Sequence, residues 1–212
     1  MLLGIAPFIL SGFVVGALVG MTSVSGGSLM TPLLVLIFGI HPITAVGTDL
    51  LYAAVTKTGG TFVHHRRRTI DWGVTRRLAT GSIPAAIATL IVLYELGVRG
   101  GASPPAIMIV LACALITTAI CVVAHRQLRM LILIRGSEPD RHRVAICTIG
   151  AGLILGVLVT LSSVGAGAIG MTALVLLYPG TPIVRLVGSD IAHAVPLTLV
   201  AGIGHWLLGS VN

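Results

Sequence analysis

From residue 2 to residue 21, and again from residue 106 to residue 124, the chain runs without a charged side chain. Each run is close to the roughly 20 residues with which an α-helix crosses the hydrocarbon of a bilayer. Residues 78–96, with one glutamate near the end, form a third such run. Lipid offers no partner for backbone N–H and C=O groups, so a spanning segment must be a helix or part of a closed barrel. Long runs without alternation predict helices. With 56% hydrophobic residues, 9% charged residues and a mean hydropathy of +1.07, against about 25% charged in a soluble domain, the chain reads as an integral membrane protein. Its 27 glycines and four phenylalanines point to an all-α polytopic bundle packed through small residues.

The net charge of +7 does not indicate a nucleic-acid partner, because the charges are not spread over one face. Ten of the 13 lysines and arginines fall in residues 64–77 (HHRRRTIDWGVTRR) and 125–143. Basic loops of this kind stay on the cytoplasmic side. The apolar runs between them, joined by residues 98–105 with the single Arg99, suit a hairpin that goes out and back. One transmembrane domain (1–212) thus divides into a core (5–65), a basic loop (66–77), a hairpin (78–124), a second basic loop (125–143) and a second core (144–206). No basic stretch precedes the first apolar run and no small-x-small site follows it, so that run is expected to stay as a helix. Cys113, Cys121 and Cys147 lack CxxC spacing and read as small core residues, with no metal, disulfide or cofactor implied. Trp72 and Trp206 suit interfacial anchoring.

The two cores are near-copies. GFVVGALVGMTSVSGGSLMTPLLVLIFGIHP (12–42) aligns with GLILGVLVTLSSVGAGAIGMTALVLLYPGTP (152–182), and VGTDLLYA (46–53) with VGSDIAHA (187–194). Each unit holds an apolar segment, a glycine and serine break, a short apolar segment and a proline turn. A longer segment carrying an aspartate follows. The short pieces, 29–40 and 169–178, are too brief to span and are expected to be half-helices or re-entrant segments. Irregular backbone at membrane depth survives only when buried in protein or lining a wet cavity, and paired breaks in two halves point to a transport site.

A helix that starts after such a break aims unpaired N–H groups and its positive dipole end into the cavity, which favours an anion. The candidate binding residues are Ser23, Ser25, Gly26, Gly27 and Ser28 in the first unit and Ser162, Ser163, Gly165 and Gly167 in the second, with His41 at the first proline turn as a weaker counter-charge. The plainer reading of the glycines is close helix packing.

Asp49 and Asp190 admit two readings. They can cap the helices that follow, or act as buried carboxylates that take up the coupling ion, a proton. Tyr52 and His193, three residues on, share a helix face with each aspartate, and an Asp and His on one face can pass protons. Lys57 and Arg185 are expected to snorkel to an interface, and His64, His65 and His205 to lie in loops or at helix ends.

The phrase GIHPITAVGTDLLYAAVTKTGGTFVHHRRRTIDW, with the preceding SVSGGSLMTPLL, resembles the signature of the TauE/SafE permeases, and residues 162–212 are similar to that family's second repeat. The resemblance covers nearly the whole chain. It implies a multi-pass carrier of the bacterial inner membrane for sulfite, organosulfonates or related carboxylates, a protein that is not an enzyme. The expected partners are a small anion, the lipid bilayer and a further copy of the chain. Family members often carry Ser where Asp49 stands, and usually continue through two further helices. Inversion is the favoured relation between the repeats. A non-transporting accessory subunit is the alternative. An intramembrane aspartic protease, which also needs two aspartates, is disfavoured because neither GTD nor GSD resembles the GxGD and YD motifs.

Overall fold

The computed structural model describes residues 12–14, 26–97, 109, 112–113, 116–117, 120, 141–165, 167–209 and 211, and for residues 26–29 the backbone alone. Every regular element among the described residues is α-helical. Six helices have described ends: α1 (Gly26–Leu36), α2 (Pro42–Arg66), α3 (Trp72–Glu95), α4 (Arg141–Ser162), α5 (Ala168–Leu177) and α6 (Ile183–Leu207). Most of the second limb of the expected hairpin, and residues 125–140 of the second basic loop, lie outside the described residues.

Local chemistry sets the boundaries. Pro42 opens α2 in the position where a missing N–H costs nothing and φ is already helical. The last turn holds His64, His65 and Arg66, with the Arg66 cation at the negative end of the dipole. Thr69 then folds back, donating from its N–H and its hydroxyl to the carbonyl of His64. Asp71 caps α3 by accepting from the N–H groups of Gly73 and Val74 at 2.9 and 3.2 Å. Only residues 67–71 are therefore a turn, and Arg76 and Arg77, expected in a loop, project from a helix.

Among the described residues three helices, α3, α4 and α6, are long and apolar enough to cross a membrane. α2 equals α6 at 25 residues but is less apolar, because it carries Asp49, Lys57 and five threonines. Its partner compensates. α2 and α6 pack antiparallel, with Gly60 against Ile191 and Gly202 against Leu51. α3 runs parallel to α6, with Asp71 opposite Ser189, Ser82 opposite His193 and Leu90 against Gly204. It also runs parallel to α4. There the backbones nearly touch: a methyl group at Gly81 would overlap the Ile149 carbonyl, and one at Gly152 or Gly156 would overlap the carbonyls of Leu78 or Ser82. This is packing through small residues, as the composition implied.

The centre of the bundle is a cluster of Val46, Leu50, Ala86, Val159, Ala194, Leu197 and Ala201, drawn from four helices. Large apolar side chains such as Ile87, Ile91, Ile149, Leu153 and Ile203 point outward, as lipid-facing surfaces require. Cys113 and Cys147 are exposed, which corrects their reading as core residues: a small thiol sits as easily on an apolar outer face. Cys121 lies outside the described residues. Because α3 and α4 are parallel, the exposed Arg66, Arg67, Arg68, Arg76 and Arg77 and the exposed Arg141 and Arg143 gather at one end of the molecule.

Candidate functional site

The second expected break is present. α4 ends at Ser162, Ser163 turns into the left-handed region at φ 55°, and Gly165 follows at φ 112°, a conformation that glycine alone adopts freely. α5 then runs for ten residues, about 15 Å, half the hydrocarbon thickness. Ser162 Oγ donates to the Leu158 carbonyl and accepts from the Val164 N–H, so its hydroxyl braces the break. The N-terminus of α5, at Gly167, has no side-chain cap. In the first unit, Gly26, Gly27 and Ser28 form the opening turn of α1, while Ser23 and Ser25 lie outside the described residues. His41 precedes α2 and is exposed.

Both aspartates are buried, at 1% and 5% exposure. Neither is a cap. α2 starts at Pro42 and α6 at Ile183, without a side-chain cap at either, so each carboxylate sits two turns inside its helix. Asp49 Oδ2 accepts from Thr31 Oγ1 of α1 at 3.0 Å and from Ser163 Oγ of the break at 2.7 Å. Its Oδ1 is buried without a hydrogen-bond partner among the described residues. The hydroxyl of Ser163, expected to face a substrate, is given to the carboxylate.

Asp190 is set differently. Its Oδ1 is also buried without a partner among the described residues, and it lies against Gly170 of α5, where an added methyl would come within 2.5 Å of that oxygen. His193, one turn on, directs Nε2 to Ser82 Oγ of α3 at 2.7 Å and leaves Nδ1 unpartnered among the described residues. Tyr52, the counterpart of His193, is 47% exposed while Asp49 is sealed. Three-residue spacing thus did not bring the phenol to the carboxylate side.

Lys57 does not simply snorkel. It is half-buried on α2, within electrostatic reach of Asp190 first and Asp49 second. The antiparallel register explains this, since Gly60, one turn further on, already touches Ile191. Arg185 is exposed. His205 lies at a helix end as expected, in the last turn of α6, but it is 1% exposed and donates from Nε2 to the Thr160 carbonyl at 2.8 Å. His64 is in the last turn of α2 and meets Thr69 Oγ1 at 2.8 Å, and His65 stacks edge-on to Trp72. Thr31 and Ser82 were missed by sequence reasoning. A lone hydroxyl in an apolar run was the available signal, and many such hydroxyls, like Thr89 and Thr198, only bond back to their own helix.

The two carboxylates do not meet. Asp49 lies near the level of Gly202 and Asp190 near that of Gly60, which at 1.5 Å per residue separates them by about 17 Å along the helix axes. An aspartic protease dyad, with two carboxylates about 3 Å apart sharing a proton, is not formed. The arrangement offers two buried carboxyl groups at different depths, a lysine between them and a half-helix next to each: α1 at Asp49 and α5 at Asp190.

Comparison with known proteins agrees with this architecture. The family model described as sulfite exporter TauE/SafE matches residues 8–212. The chain is 37% identical over 210 residues, 96% of its length and 80% of the relative's, to the probable membrane transporter protein YjnA of Bacillus subtilis (strain 168). No solved structure matches it.

Proposed function

The chain belongs to the TauE/SafE family, and from that premise we propose that it is a secondary permease for small anions such as sulfite, organosulfonates or related carboxylates. That it is a membrane permease and not an enzyme follows from the family. The anion reading is carried by one observation: a half-helix, α5, whose uncapped N-terminus opens from a break inside the bundle. Amides at such a terminus, with the positive end of the dipole, bind anions. Ser162 and Ser163 have their hydroxyls engaged, and the N–H groups of Gly167 and Gly170 donate to the Gly165 carbonyl, so the amides of Ala168 and Ile169, and those opening α1, are the donors in this reading. His41 is exposed and plays at most an entry role.

Antiparallel packing of α2 on α6, helices of equal length that open on aligned proline turns, supports an inverted repeat. In such folds a central site is exposed to each side in turn. Asp49, Asp190 and His193 would take up the coupling ion, with the exposed arginine cluster on the cytoplasmic face of the inner membrane. The test is uptake and efflux of labelled sulfite, sulfoacetate and a small carboxylate in proteoliposomes, under proton and sodium gradients. If no anion moves under any gradient, the reading fails.

A further inference from the structure

We propose that Asp49, Thr31 and Ser163 form a binding site for a sodium ion. The inference deepens the anion-permease reading, on which it rests only for the ion's part in coupling.

Three observations converge. First, two hydroxyls donate into a single oxygen, Asp49 Oδ2. Donors gathered in this way match an ionised carboxylate, which is an acceptor only. Their own lone pairs, and Oδ1, which is sealed without a partner among the described residues, remain as oxygen ligands. Second, Ser163 follows the last residue of α4, so the carboxylate lies at a helix C-terminus. The negative end of the α4 dipole lies there. An anion is misplaced there unless a cation accompanies it, and unwound segments and half-helix C-termini are where transporters hold such ions.

Third, the carboxylate is sealed: Asp49 is 1% exposed and its Oδ1 has no hydrogen-bond partner among the described residues, and a buried charge must be paired. A single positive charge in an oxygen-only donor set is met by sodium, whereas divalent and thiophilic metals favour more carboxylates, imidazole or thiolate. Asp190 has no comparable donor set, since its free oxygen is pressed against Gly170. The ion also bridges both units: Thr31 comes from one half, Ser163 from the break of the other. Its arrival would fasten the second break.

The test uses the full chain in detergent. Thermal unfolding is followed against NaCl, KCl and choline chloride at constant ionic strength, with binding of radiolabelled sodium measured in parallel. Saturable stabilisation by sodium alone is expected, with loss in Asp49→Asn. Thr31→Val and Ser163→Gly each weaken binding about tenfold, the usual consequence of losing one contact to a charged group. Thr31→Ser should restore it. Ser163→Gly keeps the left-handed backbone comfortable, so it tests the hydroxyl even if Asp49→Asn misfolds. Equal effects of sodium, potassium and choline, a response to pH alone, or unchanged sodium binding in Ser163→Gly and Thr31→Val overturns the site. Sodium binding without transport of any anion leaves the site standing and sinks the permease substrates instead.

Discussion

Asp49 and Asp190 stand at matching positions of two equally long helices, yet they live in different surroundings. Asp49 is met by two hydroxyls from two other elements, while Asp190 lies against the bare backbone of Gly170 with Lys57 within electrostatic reach. The same phrase, repeated, yields a carboxylate bonded to hydroxyls in one half and one without such donors, within reach of a lysine, in the other. What differs is what the partner elements bring: Thr31 and Ser163 against Gly170 and a cation from α2. A repeat copies the frame, and the neighbours decide what the frame holds.

Lys57 sits between the two environments, so its removal should have the largest effect. Lys57→Met removes the cation within electrostatic reach of the buried Asp190, and losing a buried opposite charge is expected to cost about 3–5 kcal/mol of stability. Thermal unfolding in detergent measures it. Adding Asp190→Asn should recover most of that loss, whereas adding Asp49→Asn should recover less. Equal recovery would abolish the distinction between the two sites.

A second test acts on the Asp190 site alone. Gly170→Ala places a methyl group against Asp190 Oδ1, and overpacking of this kind costs about 1–3 kcal/mol. Anion transport should fall while sodium binding at Asp49 persists. Ser82→Ala strips the partner from His193 Nε2 and should destabilise by about 1–3 kcal/mol, the penalty of an unsatisfied buried polar group. Ser82→Thr, which keeps a hydroxyl, should retain more stability than Ser82→Ala. The smallest effect is expected at Tyr52. Its ring is turned outward, so Tyr52→Phe should change stability by no more than about 0.5 kcal/mol and leave transport rates unaltered. A large loss of transport would return the phenol to the Asp49 site.

Much of this architecture was legible in the chain. Apolar runs of spanning length and charge confined to short segments announced a helical membrane protein, and the GS-rich stretch after residue 161 marked the break later found at Ser163 and Gly165. The aspartates were found because they interrupt apolar sequence twice. Their helical position was not. GTD and GSD look like caps, but Pro42 and Ile183 begin the helices two turns earlier, and a helix start set by a proline turn hides any later cap-like triplet. Partners across helices were illegible for another reason. Thr31 to Asp49 and Ser82 to His193 span 18 and 111 residues, and nothing local separates those hydroxyls from threonines that bond to their own backbone. Lys57 followed the same rule: its place depends on the antiparallel register of α2 and α6, which is a property of the pair.

The seam between α3 and α4 has its own consequence. With Gly81, Gly152 and Gly156 bringing one backbone onto the other, these two spans cannot slide or roll past each other without collision, so they act as a stator. Movement that exposes a site to one side and then the other falls instead to the half-helix α5, whose Gly170 meets side chains and not backbone. A disulfide engineered across α3 and α4 should therefore leave the carrier turning over, whereas one that staples α5 to α6 should stop it.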